Sequence, residues 1–92
     1  MLTPQEGTRF RRDLKRMKRR GKDLEKLKRV VQLLVEERAL SQRQHDHPLI
    51  GDWSGYRDCH IEPDWVLIYK IDPEEQSLTL VRTGTHSDLF KS

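Results

Sequence analysis

Ninety-two residues with 34% hydrophobic content make one domain (1–92) with a single, economical core. No apolar run exceeds WVLIY and the opening MLTPQEG is polar, so no membrane span or secretory signal is expected, and the chain reads as cytoplasmic. A lone cysteine, Cys59, forms no intrachain disulfide, in keeping with a reducing compartment, and reads as a small buried hydrophobe.

The net charge of +3 hides an uneven distribution. Between Arg9 and Arg29 twelve Lys or Arg face only Asp13, Asp23 and Glu25, so the remainder of the chain is acidic. A basic strip of this density replaces counterions along a phosphate backbone, and nucleic acid is the expected polyanion.

In chain order, Phe10, Leu14 and Met17 recur at helical spacing as one apolar stripe, with Arg9, Arg12, Arg16 and Arg19 on other faces. Gly21 fits a helix stop and Asp23 a cap for a second helix, in which Leu24, Leu27, Val30, Val31, Leu34 and Val35 repeat the pattern. The stripes predict core, and the basic residues are left outside. SQRQHDHPLIGDWSG reads as a long loop punctuated by Pro48, Gly51 and Gly55. YRDCHI, WVLIYKI and LTLVRT then predict three strands of an antiparallel meander, joined by EPD and DPEEQS. Alternation puts Tyr56, Asp58 and His60 on one face of the first of these strands, and sets Trp65, Leu67, Tyr69 and Ile71 opposite Val66, Ile68 and Lys70 on the second. The expected architecture is α+β: a helical hairpin forming one layer over a small sheet.

All four histidines, His45, His47, His60 and His86, fall in the sheet region. An antiparallel meander brings the end of one strand beside the start of the next, so His60, Asp64, Trp65, Arg82 and His86 are expected to converge. Such a group supplies what RNA cleavage without a metal needs: a base for the 2′-OH proton, an acid for the leaving 5′-oxygen and a cation for the phosphate. Imidazoles suit both proton roles near neutrality. Plainer readings stand beside this one: Asp64 as a turn former, Trp65 as core, Arg82 as the partner of a nearby carboxylate, Phe90 as a pin for the C-terminus. A metal site from His45, His47, His60 and Asp64 is a further alternative, although no compact ligand motif supports it.

DHPLIGDWSGYRDCHIEPDWVLIYK together with RTGTHSDLF closely resembles the YafQ branch of the RelE/ParE superfamily, bacterial toxins of type II toxin-antitoxin systems. The resemblance runs from about Phe10 to Phe90 and implies a RelE-like fold with a short C-terminal helix. Members of that family open on an edge strand, whereas LTPQEGT is short and carries Pro4, which leaves that strand in question. The resemblance also implies an mRNA endonuclease working in the ribosomal A site, with no metal or other cofactor, yielding a 2′,3′-cyclic phosphate and a 5′-OH. Its functional positions fall on His47, His60, Asp64 and His86 as catalytic residues, with Trp65 and Phe90 as supporting aromatics and Arg82 near the phosphate. In the implied roles His60 or Asp64 assists deprotonation, His86 is the acid, and Arg82 with His47 steadies the phosphate; His45 takes none. Arg12, Lys15, Arg16 and Arg19 are the expected contacts to ribosomal RNA, and a cognate antitoxin is the expected protein partner, in a hetero-oligomer. The rival readings are a gyrase-inhibiting, ParE-like member without the histidine group, and a non-enzymatic RNA-binding module.

Overall fold

The computed structural model describes residues 1–90. A short strand, β1 (Thr3–Glu6), leads into two helices, α1 (Thr8–Arg19) and α2 (Leu24–Val35). Phe10 and Met17 of α1 are buried, as are Leu27, Val30, Leu34 and Val35 of α2, so the apolar stripes are core. Gly21, at φ 79°, ends α1 in the left-handed conformation that glycine adopts without steric cost. There the Lys22 N–H donates to the Met17 carbonyl at 3.0 Å and the Gly21 N–H to Lys18 at 3.1 Å, closing the last turn. Asp23 caps α2 by accepting from the Glu25 N–H at 3.0 Å.

The second half supplies β2 (His47–Pro48), β3 (Arg57–Glu62), β4 (Trp65–Asp72), β5 (Ser77–Gly84) and the short α3 (His86–Leu89). They form one five-stranded sheet in the order β1-β5-β4-β3-β2, antiparallel throughout except for the β1–β5 pair. The strand left in question by Pro4 is therefore formed. Its register explains why proline is tolerated: the Thr3 and Gly7 N–H groups donate to the carbonyls of Gln76 and Leu80, at and within the adjacent strand, so at Pro4 the missing N–H would have pointed away from the sheet.

Packing departs from the expected single layer. Cys59, Trp65, Leu67, Tyr69, Leu78 and Leu80 face the helices, but Val66 and Ile68 on the other side are also buried. They are covered by Leu49 and Trp53 of the long loop, by Tyr56, which precedes β3 where the sequence predicted it to open that strand, and by Leu89 and Phe90. The middle strand is apolar on both faces, as WVLIY requires, and a sheet buried on both sides needs a second cover. Burial pushes the Cys59 thiol up, so it behaves as the small hydrophobe expected. Among the described residues no helix is long and apolar enough to cross a membrane.

Candidate active site

Register across the sheet lays out the site. Cross-strand partners point to the same side, and one row runs His47, Asp58, Ile68, Arg82 from β2 to β5, with His60, Val66 and Gly84 two residues along. With strands about 4.8 Å apart, Arg82 lies roughly 10 Å from Asp58 on that face. The two-residue turn Pro63–Asp64 joins β3 to β4 and projects Asp64 at the same end of the sheet. Chain leaving β5 enters α3 through Thr85, whose hydroxyl accepts from the Asp88 N–H while the Asp88 carboxylate accepts from the Thr85 N–H. His86 is thereby delivered directly beside Asp64.

Asp64 holds His86 at two points. Its Oδ1 accepts from the His86 ring Nδ1–H at 2.7 Å and from the His86 backbone N–H at 3.1 Å. Those bonds hold the Asp64 carboxyl below its ordinary range, the side-chain bond contributing most. They also leave Nε2 as the ring nitrogen open to a substrate. The His60 ring stands 5.2 Å from that of His86, edge to face, and Phe90 lies 6.2 Å beyond His86.

His45 and His47 extend the row. Ring centroids are 5.5 Å apart for His60 and His45, and 4.3 Å for His45 and His47, so all four imidazoles of the chain form one continuous line. Beneath it is Asp58, 4% exposed. The His47 Nδ1–H is directed at the His45 carbonyl, 2.7 Å away. Asp58 Oδ1, though only 3.1 Å from that nitrogen, thus meets it as a charge, and among the described residues it has no hydrogen-bond partner. Burial pushes Asp58 up, and His47 is the largest influence opposing this. Burial also pushes His60 below the ordinary imidazole range; Asp58 opposes, and His86, His45 and His47 add to the effect. Beside His60 an open cavity of about 730 Å³, bordered by Lys26, Arg43, Gln44 and Ile61, leaves room for a nucleotide-sized group. Among the described residues no three His, Cys, Asp or Glu side chains are arranged to hold a metal ion.

A family described as "Bacterial toxin of type II toxin-antitoxin system, YafQ" matches residues 2–91. The chain belongs to this family. It is 46% identical over 82 residues to the mRNA interferase toxin YafQ of Escherichia coli strain K12, covering 88% of this chain and 87% of that one. Its fold matches the crystal structure of YafQ from E. coli strain BL21(DE3) with a TM-score of 0.90 at 41% identity, over 98% and 99% of the two chains. YafQ in the E. coli DinJ-YafQ toxin-antitoxin complex matches with a TM-score of 0.88 at 42% identity, over 97% of both. A metal-bound toxin from Helicobacter pylori matches with a TM-score of 0.92 at 43% identity, over 98% and 100%.

Within this YafQ-family fold the residues singled out in the sequence are not equally placed. His47, His60, Asp64 and His86 come together, and Phe90 joins them, half-buried against Trp53. Trp65 lies underneath: it is 0% exposed and its Nε1–H donates to the Thr83 hydroxyl at 2.8 Å, so it supports the site and offers RNA no surface. Arg82 is on the right face, but its Nε and Nη2 donate to Asp13 at 2.6 and 3.1 Å, leaving Nη1 uncommitted. Arg12 and Arg16 border a small cleft with Arg82, and Arg16 also approaches Asp88 at 3.6 Å. Lys15 and Arg19 are exposed on α1. Nothing in the sequence assigned a site role to Asp13, Asp46 or Asp58, and His45 figured there only in the metal alternative. Alternation did put Asp58 on the face of His60, which was the available signal; Asp46, whose carboxylate is held by the Tyr69 hydroxyl and by Arg57 at 3.2 Å, had none.

Proposed function

We propose that this toxin is an mRNA interferase that cuts messenger RNA on the ribosome and so stops translation. The observation carrying this reading is the pair His60 and His86, with rings 5.2 Å apart and His86 fixed by Asp64. His60, uncharged more readily than an ordinary imidazole, takes the proton of the ribose 2′-OH. The 2′-oxygen attacks the adjacent phosphorus, the bond from phosphorus to the 5′-oxygen breaks, and that oxygen receives a proton from His86 Nε2. The products are a 2′,3′-cyclic phosphate and a 5′-OH. Asp64 is tied to His86 and serves as its orienting partner, which leaves the base role to His60. His47 and the free Nη1 of Arg82 face the charge that develops on the phosphate. Phe90 offers a ring for a base to lie against, and the exposed cations of α1 bind ribosomal RNA through phosphates without reading sequence.

A cognate antitoxin is the expected inhibitor in the cytoplasm, since the relative of E. coli is found with DinJ. The histidine line disfavours the gyrase-inhibiting alternative, which has no use for acid and base groups.

Mapping the 5′ ends of ribosome-bound message tests the assignment. His86→Ala is expected to lower the cleavage rate about 10²- to 10⁴-fold, the contribution of one placed acid. Unchanged cleavage in that variant refutes the mechanism. The same assay with chelator matters because one similar toxin is metal-bound: full activity is the expected result, and its loss means that a metal does the work assigned to the imidazoles.

A further inference from the structure

His45 is the member of the imidazole line to which the reaction above assigns no task, yet it sits at the line's centre. Its ring touches both His47 and His60, at 4.3 and 5.5 Å between centroids. Considerable local structure is devoted to putting it there. The preceding 3-10 turn, Gln42–Gln44, is closed by the Gln44 side chain accepting from the Ser41 N–H at 2.8 Å. His45 itself has φ 43°, a left-handed conformation that costs a residue with a side chain about 1 kcal/mol or more. On its other side Asp46 is clamped to the sheet by Tyr69 and Arg57. The His45 carbonyl meanwhile accepts from His47 Nδ1. Strain held from both sides is the pattern of a residue whose direction matters.

The ring faces His60, and two imidazoles this close resist being protonated together. Other charged groups surround His60: Asp58 on its own strand, His47 from β2, His86 with its partner Asp64 from α3 and the β3–β4 turn, and Lys26, Arg43 and Glu62 along the adjoining cavity. Glu62 is itself matched by Lys22 and Lys26, at 3.0 and 2.9 Å. His45 is the exposed imidazole among these neighbours that makes no side-chain hydrogen bond or ion pair among the described residues.

We propose that His45 is a positioning residue of this site, acting through charge: a proton on its ring, 5.5 Å from that of His60, favours the uncharged form of His60 that a base requires. The catalytic consequence rests on the nuclease reading; the relation between the two rings does not.

Two substitutions separate charge from shape. His45→Asn suits the left-handed backbone and carries no charge, whereas His45→Lys carries a permanent one. Proton NMR titration of the His60 ring in the full-length toxin reads the effect directly, and message cleavage from pH 5.5 to 8.5 reads its consequence. His45→Asn is expected to raise the His60 midpoint by about half a pH unit, as the loss of one partly screened charge 5 to 6 Å away implies. Its activity loss relative to the parent is then roughly 1.5- to 2.5-fold larger at pH 6 than at pH 8, and grows as the pH falls further. His45→Lys keeps the midpoint at or below that of the parent. A His60 midpoint that stays put in His45→Asn, or that moves equally in both variants, overturns the proposal whatever the parent's activity. Titration as expected in a parent that leaves message intact overturns its catalytic part together with the nuclease reading.

Discussion

Asp13 decides how Arg82 can act. β1 ends at Glu6, so the edge of β5 beyond Leu80 has no strand beside it, and α1 runs past instead. Asp13, 1% exposed, stands in for the missing strand: its carboxylate accepts from the Thr83 N–H at 3.1 Å and receives two bonds from the Arg82 guanidinium. The arginine is thus held with one arm free, a fixed cation in place of a mobile side chain. Because a buried ion loses far more when its partner is removed than the intact pair contributes, Asp13→Ala is expected to lower the unfolding free energy by about 3 kcal/mol in urea denaturation. A loss below about 1 kcal/mol would show that Arg82 and the strand edge find other partners. His60 presents the opposite case. Burial and three imidazole neighbours leave it with a single buried carboxylate in opposition, and the balance holds it below the ordinary imidazole range.

At the scale of elements, α3 is a four-residue helix, too short to persist alone, and it carries His86 at one end and leads to Phe90 at the other. Asp88 is what holds it. That carboxylate accepts from the Arg20 guanidinium at 2.7 and 3.2 Å and from the Thr85 N–H at 3.0 Å, joining the end of α1 to the cap of α3. The bond from Arg20 holds the Asp88 carboxyl well below the usual carboxylate range, with Thr85 adding to it against burial. Gly84 is required by the same contact, since a Cβ there would come within 3.0 Å of the Asp88 side chain. Removing the carboxylate by Asp88→Ala is expected to cost about 1 kcal/mol, the worth of a lost cap, and to speed hydrogen exchange at the Leu89 and Phe90 amides, which close the helix, ahead of the sheet. The sign of the pH effect follows from the lowered value: the bond is fully present at neutral pH and is lost only as acid takes the medium below about 3.9 toward the folded-state value. Exchange at α3 that is unaltered in Asp88→Ala would mean that Leu89 and Phe90 hold the helix by packing alone.

For the molecule as a whole, charge is arranged around the imidazole line. Arg16 and Arg20 at the end of α1 are drawn to Asp88, and Lys22 and Lys26 to Glu62, whereas Arg12, Lys15 and Arg19 make no ion pair among the described residues. The unpaired cations are the ones available to a polyanion. Reversal of Lys15 and Arg19 to Glu is expected to weaken association with ribosomes and to reduce the slope of log affinity against log salt by roughly 1 to 2, with the folded structure retained. An unchanged slope would remove α1 from the binding surface. Most of the architecture needs no tertiary information. Apolar residues at helical spacing mark α1 and α2, Gly21 and Asp23 mark the break between them, and alternation marks β3 to β5, because each signal is local and comes from the geometry of a single element. The convergence of His60, Asp64 and His86 was legible for the same reason, since two short antiparallel connections leave little choice of where the strand ends meet. What the chain could not announce are pairings between distant residues: Asp13 with Arg82, 69 positions apart, Asp46 with Tyr69, 23 apart, and the second cover that buries Val66 and Ile68. Only packing determines which carboxylate meets which cation, which aromatic sinks beneath the site as Trp65 does, and which histidine is turned inward. Local sequence specifies the conformation of an element, but a partner far along the chain is selected by the shape and burial that all elements create together.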